Sequence, residues 1–276
     1  MVEKSPESVE PPEIRRGFLT LATAQATRKR NKGLFQAIRG DLQMHTVWSD
    51  GSASIQEMAE AAANRGYSYM AVTDHAKGLK IAGGIDEVQL RRQEDEIGEV
   101  NAAMSERGFR VLRSIELNLS PDGAGDMDAR ALRKLDLVLG CFHSALRRKE
   151  DQTERYLAAL RNTSVHVLGH PRGRIYNFRP GLTADWSRVF ALAARLDKAV
   201  EVDCYPDRQD LNVELLRIAK GEGCRISIGT DSHGASQLAF MDFGIAAIVS
   251  AGIAKERVLN FLSADEIVEW SKSGRG

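Results

Sequence analysis

The chain has 276 residues, 43% of them hydrophobic and 28% charged, the balance of a water-soluble globular protein with room for one large domain or two ordinary ones. Its 38 basic residues offset 38 acidic ones, so no global field gathers nucleic acid or anionic membrane, and any polyanion contact must come from a local patch. No apolar run nears the roughly 20 residues of a membrane span, no signal-peptide core is present, and three cysteines without CxxC spacing argue against a disulfide scaffold; the expected location is cytoplasmic.

Residues 1–13 carry Pro6, Pro11 and Pro12 among Glu and Ser, a composition expected to be disordered or loosely held. Residues 14–39 read as helical, with a basic run at Arg28, Lys29, Arg30 and Lys32 that is best taken as a solvated helix face. Residues 1–39 are therefore expected to form an N-terminal extension ahead of a domain spanning 40–276.

From Gly40 a rhythm begins. Short β-rich runs fall at about 41–46, 69–74, 110–117, 136–143, 165–169, 199–204 and 225–230. Between most of them lie helical patterns such as SIQEMAEAAANRG, TERYLAALRN and LNVELLRIAKGEG, several of which stop at a glycine: Gly66, Gly108 and Gly223. Strands alternating with helices imply a parallel sheet with right-handed crossovers. Seven runs over about 235 residues approach the roughly 250 residues of an eight-stranded barrel. Every strand end carries polar chemistry, which suits a barrel, whose strand ends converge on one face, better than an open sheet with one switch point. The expected fold is α/β, a distorted seven-stranded (β/α)7 barrel with a short N-terminal helical extension. The tail, AKERVLNFLSADEIVEWSKSGRG, reads as two terminal helices.

The chemistry sits at those strand ends. Five of six histidines lie there: His45 in DLQMHT, His75 in AVTDH, His143 in LVLGCFH, His170 in VHVLGHP and His233 in SIGTDSH. Alternation puts Gln43 and His45 on one face, with Asp50 in the following turn. Glu116 lies inside an apolar strand, where a carboxylate needs a partner, and Asp231 precedes His233 by two residues. Histidine is the commonest protein metal ligand. Eight first-choice ligands (His45, Asp50, His75, Glu116, His143, His170, Asp231 and His233) exceed the four to six of one ion and imply two or three divalent ions sharing a carboxylate. Mixed imidazole and carboxylate donors suit Zn²⁺, Mn²⁺ or Fe²⁺. His166, mid-strand and beside no motif, is assigned to structure. Cys141, Cys204 and Cys224 are taken as core residues. Arg172 and Arg174 follow GHP, and Arg208 lies in DCYPDRQDLN; all three are candidate substrate-binding cations, because guanidinium forks grip phosphate oxygens.

From Gly40 to about Trp270 the motifs DLQMHT with SDG, VTDH, the Glu of SIELN, FHS, GHP and GTDSH follow one another in the order of the polymerase-and-histidinol-phosphatase (PHP) family, which the chain resembles. EVDCYPDRQDL and SADEIVEW look most like the PHP domain at the C-terminus of bacterial family-X DNA polymerases. The resemblance implies a distorted seven-stranded barrel, up to three metal ions and phosphoester hydrolysis. It matches Gln43, His45, Glu116 and Asp231 to a first metal site, Glu116, His143 and His170 to a second, and Asp50, His75 and His233 to a third. One departure stands out: the first motif is normally His-x-His, and here Gln43, a neutral and weaker oxygen donor, replaces its first member.

The implied activity is a metal-dependent phosphoesterase. A metal-activated hydroxide attacks small phosphomonoesters such as nucleotides or histidinol phosphate, with Glu116 bridging ions and Asp231 handling the proton. The alternative is a 3′–5′ exonuclease or 3′-end-processing enzyme on nucleic acid, which the basic 28–32 run would suit. A catalytically weak binding module is a third reading. An amidohydrolase-type barrel is disfavoured by the lack of a strand-end lysine and by the GHP–TDSH combination. With about 40 residues before the barrel, DNA synthesis is not expected, and no membrane partner is.

Overall fold

The structure, a computed structural model, describes residues 11–273. The expectation of disorder over residues 1–10 lies outside the described residues. Pro11–Glu13, also expected to be loose, are tied in: Arg16 Nε donates to the Pro11 carbonyl at 2.9 Å, and Glu13–Arg15 make a 3₁₀ turn. Residues 14–39 are less helical than the sequence suggests, holding α1 (Leu21–Arg30) and α2 (Lys32–Gln36) after an irregular stretch.

The parallel α/β rhythm then unfolds as β1 (Gly40–Met44), α3 (Ile55–Asn64), β2 (Tyr69–Val72), α4 (Glu87–Met104), β3 (Arg110–Arg113), β4 (Glu116–Asn118), α5 (Ala129–Leu132) and β5 (Leu139–Cys141). It continues through α6 (Thr153–Arg161), β6 (Val167–Leu168), α7 (Trp186–Arg195), β7 (Ala199–Asp203), α8 (Val213–Gly221), β8 (Arg225–Gly229), α9 (Met241–Ala251) and α10 (Ala264–Ser273). Local chemistry marks the boundaries. Ser54 with Glu57, and Asp86 with Gln89, form reciprocal capping boxes at the starts of α3 and α4, each satisfying backbone donors that a helix start leaves open.

The expected single seven-stranded barrel is corrected in two respects. Among the described residues there are eight strands, and they form two parallel sheets, β1-β2-β3 and β4-β5-β6-β7-β8. The third β-rich run breaks at Ser114–Ile115 because its pairing changes sides: β3 runs beside β2, whereas β4 runs beside β5. Isolated parallel bridges cross both gaps between the sheets, His75 with Glu116 and Met44 with Ser232. At the second gap, the Asp231 N–H donates to the Gln43 carbonyl at 3.1 Å and the His45 N–H to the Ser232 carbonyl at 2.8 Å. Asp41 reinforces it, accepting from the Thr230 hydroxyl at 2.5 Å and the Thr230 N–H at 3.1 Å.

Burial covers both faces of the strands, as expected where helices flank a parallel sheet. One apolar cluster joins Leu42, Tyr69, Leu112, Leu139, Val167 and Ala199, each from a different strand, to Ile267 and Trp270 of α10. The tail thus closes over the strand interior. It contains one α-helix rather than two; Lys255–Arg257 and Leu259–Phe261 are 3₁₀ turns. Helix α9 escaped the sequence pattern because it is apolar nearly all round, with Met241, Phe243, Ile245, Ala246 and Ile248 all buried between α1, α8 and β8; a helix covered on every side shows no amphipathic period. Among the described residues no helix is long and apolar enough to cross a membrane.

Lys198, at the entrance to β7, is 7% exposed and donates from Nζ to the Asn162 carbonyl at 2.6 Å. Burial lowers its ammonium from the ordinary 10.5 to about 8. The unfolded chain therefore holds this proton more tightly than the folded one, and stability rises as pH climbs from about 8 towards 10.5. With 1.36 kcal/mol per unit, the effect amounts to about 3 kcal/mol. Urea unfolding from pH 7.5 to 10 is expected to show wild-type stability gaining on Lys198→Met by most of that amount. Parallel curves would contradict the assignment.

Candidate metal centre

Strand ends and the loops after them bring the candidate ligands around one fully buried carboxylate, Glu116 at the start of β4. Its two oxygens face different groups. Oε2 lies 3.2 Å from Gln43 Nε2, 3.3 Å from His45 Nε2 and 3.5 Å from His75 Nδ1. Oε1 lies 2.8 Å from both His143 Nε2 and His170 Nε2. Asp231 closes the first group, with Oδ1 2.9 Å from His45 Nε2. A neighbouring group forms around Asp50, whose Oδ1 is 3.3 Å from His233 Nε2, 3.5 Å from His75 Nε2 and 3.9 Å from His45 Nδ1. The His45 ring stacks between those of His75 and His233, 4.4 Å from each centroid. All nine ligands named from the sequence are thus brought together.

Outer partners hold these side chains in place. Asn118 Oδ1 meets His143 Nδ1 at 3.1 Å. Asp74 accepts from the Thr46 N–H, the Thr46 and Ser49 hydroxyls and Gln93 Nε2, at 2.5–2.8 Å, fixing the turn that carries Asp50. His170 and Asp231 have φ of 21° and 51°, left-handed values that cost of order 1–3 kcal/mol in a non-glycine residue. The surrounding bonds hold both ligands in that strained backbone.

Most carboxylates and imidazoles of the site hold one another in their charged forms. Burial opposes ionisation of Glu116, yet the charges of His75 and His170 outweigh it and hold its carboxyl well below the ordinary range. Asp231, also buried, is brought down to about 2 by His45, and Asp50 is lowered by hydrogen bonds from His233 and His75 against its partial burial. Burial disfavours a charged His45 and His170, but Asp231 and Glu116 raise the first well above its usual value and Glu116 raises the second to about 10. At His143 burial wins and the value falls.

These donors fit divalent cations. The imidazole nitrogens and carboxylate oxygens of four overlapping groups lie within 4.8 Å of one another: His45–Asp50–His75–His233, His75–Glu116–His143, Glu116–Cys141–His170 and His45–Glu116–Asp231. Gln43 Oε1 and the Nδ1 atoms of His45, His75 and His170 are buried without hydrogen-bond partners, a condition rare in interiors unless a further ligand is to be met. Cys141 belongs to one group but is fully buried, and burial drives its thiol well up, so it stays a neutral packed side chain, as expected. His166 is structural: its Nδ1 accepts from the Val138 N–H at 3.0 Å and its ring packs on Trp270.

The three arginines part company. Arg208 lies within electrostatic reach of the centre: although burial opposes its charge, Asp231, Asp203 and Asp207 raise it further. Arg174 does not serve as expected from its position after GHP. It is 2% exposed and donates to the carbonyls of Arg208, Gln209, Gly17 and Arg16 at 2.7–3.2 Å. Arg172 likewise donates to the Pro180 carbonyl at 2.8 Å. The six residues around GHP place these guanidinium groups over turns, where backbone carbonyls compete for the same donors.

Sequence reasoning missed Glu201 and Asp203, both fully buried on β7 and pushed well up by burial. The signal was present: two carboxylates at alternate positions of an apolar run, the same anomaly that singled out Glu116.

The PHP domain profile matches residues 41–205. The DNA polymerase/3′-5′ exonuclease PolX of Bacillus subtilis is 37% identical over 236 residues, which is 85% of this chain but 41% of that protein's length. A probable phosphatase of Syntrophotalea carbinolica is 26% identical over 238 residues, covering 80% of this chain and 90% of its own. A histidinol phosphate phosphatase from Lactococcus lactis, solved with zinc, L-histidinol and phosphate, superposes with a TM-score of 0.59 at 16% identity, covering 79% and 95% of the two chains; at that identity the likeness concerns the fold.

Replacing Arg174 with Met strands several buried carbonyls and is expected to cost roughly 2–4 kcal/mol of stability, measured by urea unfolding, with bound metal per folded chain unchanged. Full stability in this variant would return Arg174 to the list of substrate contacts.

Proposed function

The chain belongs to the PHP domain family, and from that membership we propose that it is a metal-dependent phosphoesterase acting on phosphomonoesters. The observation that carries this reading is Glu116, one buried carboxylate whose two oxygens each face a separate set of imidazoles. That is the arrangement of a carboxylate shared between ions, and two or three ions of Zn²⁺, Mn²⁺ or Fe²⁺ type suit the donors. Bound there, such ions would neutralise phosphoryl charge and acidify water.

The protein's own residues divide the remaining work. In this reading Gln43, His45, Glu116 and Asp231 hold one ion, Glu116, His143 and His170 a second, and Asp50, His75 and His233 a third. Arg208, kept charged by the carboxylates around it, grips a non-bridging phosphate oxygen. In this reading Asp231, which His45 keeps ionised, is both an anionic ligand and the group that takes up the proton of the attacking water. Residues 40–276 form the catalytic domain and 1–39 its extension. The two sheets act as one distorted barrel, with β3 and β4 consecutive pieces of one interrupted run; the bridges across both gaps support this.

Small phosphomonoesters are the favoured substrates, supported by the zero net charge and by relatives called probable phosphatases that match over most of their length. A second reading, 3′-end hydrolysis of nucleic acid, rests on the Bacillus relative. The chain spans 41% of that protein, so its activity is carried over only as a proposal. Salt separates the two. Affinity for an oligonucleotide that engages several phosphates falls by orders of magnitude between 50 and 200 mM salt, whereas p-nitrophenyl phosphate hydrolysis is expected to change little.

His143→Ala is expected to abolish turnover of p-nitrophenyl phosphate by the Mn²⁺-loaded protein while circular dichroism and unfolding stay close to wild type; retained turnover would sink the assigned centre. Arg208→Met is expected to raise KM for the same substrate at least about tenfold, since a charge-assisted hydrogen bond contributes roughly 1.5–3 kcal/mol. An unchanged KM would remove Arg208 from the phosphate site.

A further inference from the structure

Resting on that reading of the centre, we infer that Glu201 is a positioning residue that sets the amide of Gln43 to present its oxygen, rather than its nitrogen, to a bound cation. Gln43 is the weakest donor of the set. As it lies in the structure, its Nε2 points at Glu116 Oε2 at 3.2 Å, while its Oε1 is buried without a donor. An amide nitrogen has no lone pair to offer a metal, so in this orientation the side chain cannot serve as a ligand.

Glu201 supplies what a turned amide needs. Its Oε2 accepts from the His170 N–H at 2.7 Å, and its Oε1 is buried with no partner. Both unpartnered oxygens border the same space, which exists because residue 229 is a glycine: a Cβ there would lie 2.6 Å from Glu201 Oε1 and 3.0 Å from Gln43 Oε1. Two buried oxygens therefore face one gap with no N–H between them, an arrangement that an ionised Glu201 would not tolerate. A half-turn of the Gln43 amide, whose two ends are nearly equal in size, removes the conflict. Nε2 then donates to Glu201 Oε1, and Oε1 faces the Glu116–His45–Asp231 group.

Without a cation that orientation would set an amide oxygen against the carboxylate of Glu116, so the turn and cation binding favour each other. Glu201 thus steadies one candidate ligand through its backbone and another through its side chain. Metal-ligating imidazoles commonly rely on such outer carboxylates, whose loss weakens binding roughly 10- to 100-fold; here the same device serves a glutamine.

The test measures Mn²⁺ affinity directly, by calorimetry and by the electron spin resonance signal of the free ion, with unfolding of the metal-free protein as a control. In Glu201→Gln, the new amide keeps its oxygen on the His170 N–H and turns an N–H towards Gln43, which must then answer with Oε1 and leave Nε2 towards the cation. The expected result is a roughly 10- to 100-fold loss of affinity at one class of site, and no further loss when the change is made in a Gln43→Ala background. Unchanged affinity in Glu201→Gln, or an equal loss in both backgrounds, would overturn the inference while leaving the proposed activity standing. A wild-type protein that binds none of Mn²⁺, Zn²⁺ or Fe²⁺ would overturn both. Should Glu201→Gln fail to fold, Gln43→Glu decides. Simple ligand strength calls for tighter Mn²⁺ binding by the added carboxylate, whereas a contact with Glu201 calls for weaker binding, because two carboxylates then face one another. Tighter binding would refute the contact.

Discussion

A negative charge buried at the meeting point of two sheets governs this molecule. Glu116 is fully enclosed, and an ionised carboxylate there would be prohibitively costly without partners. The fold answers by aiming His45, His75, His143, His170 and Gln43 at its two oxygens. Much of the local architecture follows from reaching that point. The third β-run breaks just before it, and His170 after β6 and Asp231 after β8 adopt backbone angles that unconstrained residues avoid. The strain at His170 and Asp231 is sustained because backbone and side-chain hydrogen bonds on every side leave those residues no relaxed alternative.

Polar groups that never reach the centre do the holding. Asp74 gathers donors from Thr46, Ser49 and Gln93 and so stiffens the turn that presents Asp50. Arg174 binds the carbonyls of Arg208 and Gln209 to those of Arg16 and Gly17, and its guanidinium lies 3.9 Å over the Phe18 ring. The N-terminal segment is thereby fastened to the loop that carries Arg208. Two arginines from one stretch of motifs have opposite fates: one is consumed in holding backbone, and the other keeps its charge turned towards the carboxylates.

Where candidate ligands come from separate strand ends, the loops between them can vary while the centre is kept. That separation explains how one family profile can embrace a polymerase-linked exonuclease and stand-alone phosphatases alike. In this chain the loop after β7 carries Arg208, and the N-terminal segment packs against the loop after β6, with Phe18 edge-on to Tyr176.

Periodicity is a local property, and what depends on it could be read from the chain alone: alternating strands and helices, the glycine stops at Gly66, Gly108 and Gly223, and a set of histidines and carboxylates assembled at one end of the strands. Helix α9 and the division into two sheets were not legible. An element buried on all sides loses its pattern, and a strand that changes partners midway looks continuous in sequence. Tertiary structure alone decided which oxygen of Glu116 each imidazole meets, that Arg174 is spent on carbonyls, and that Glu201 stands beside Gln43. Each of those depends on contacts between residues tens to hundreds of positions apart, and residue spacing along one strand carries no information about them.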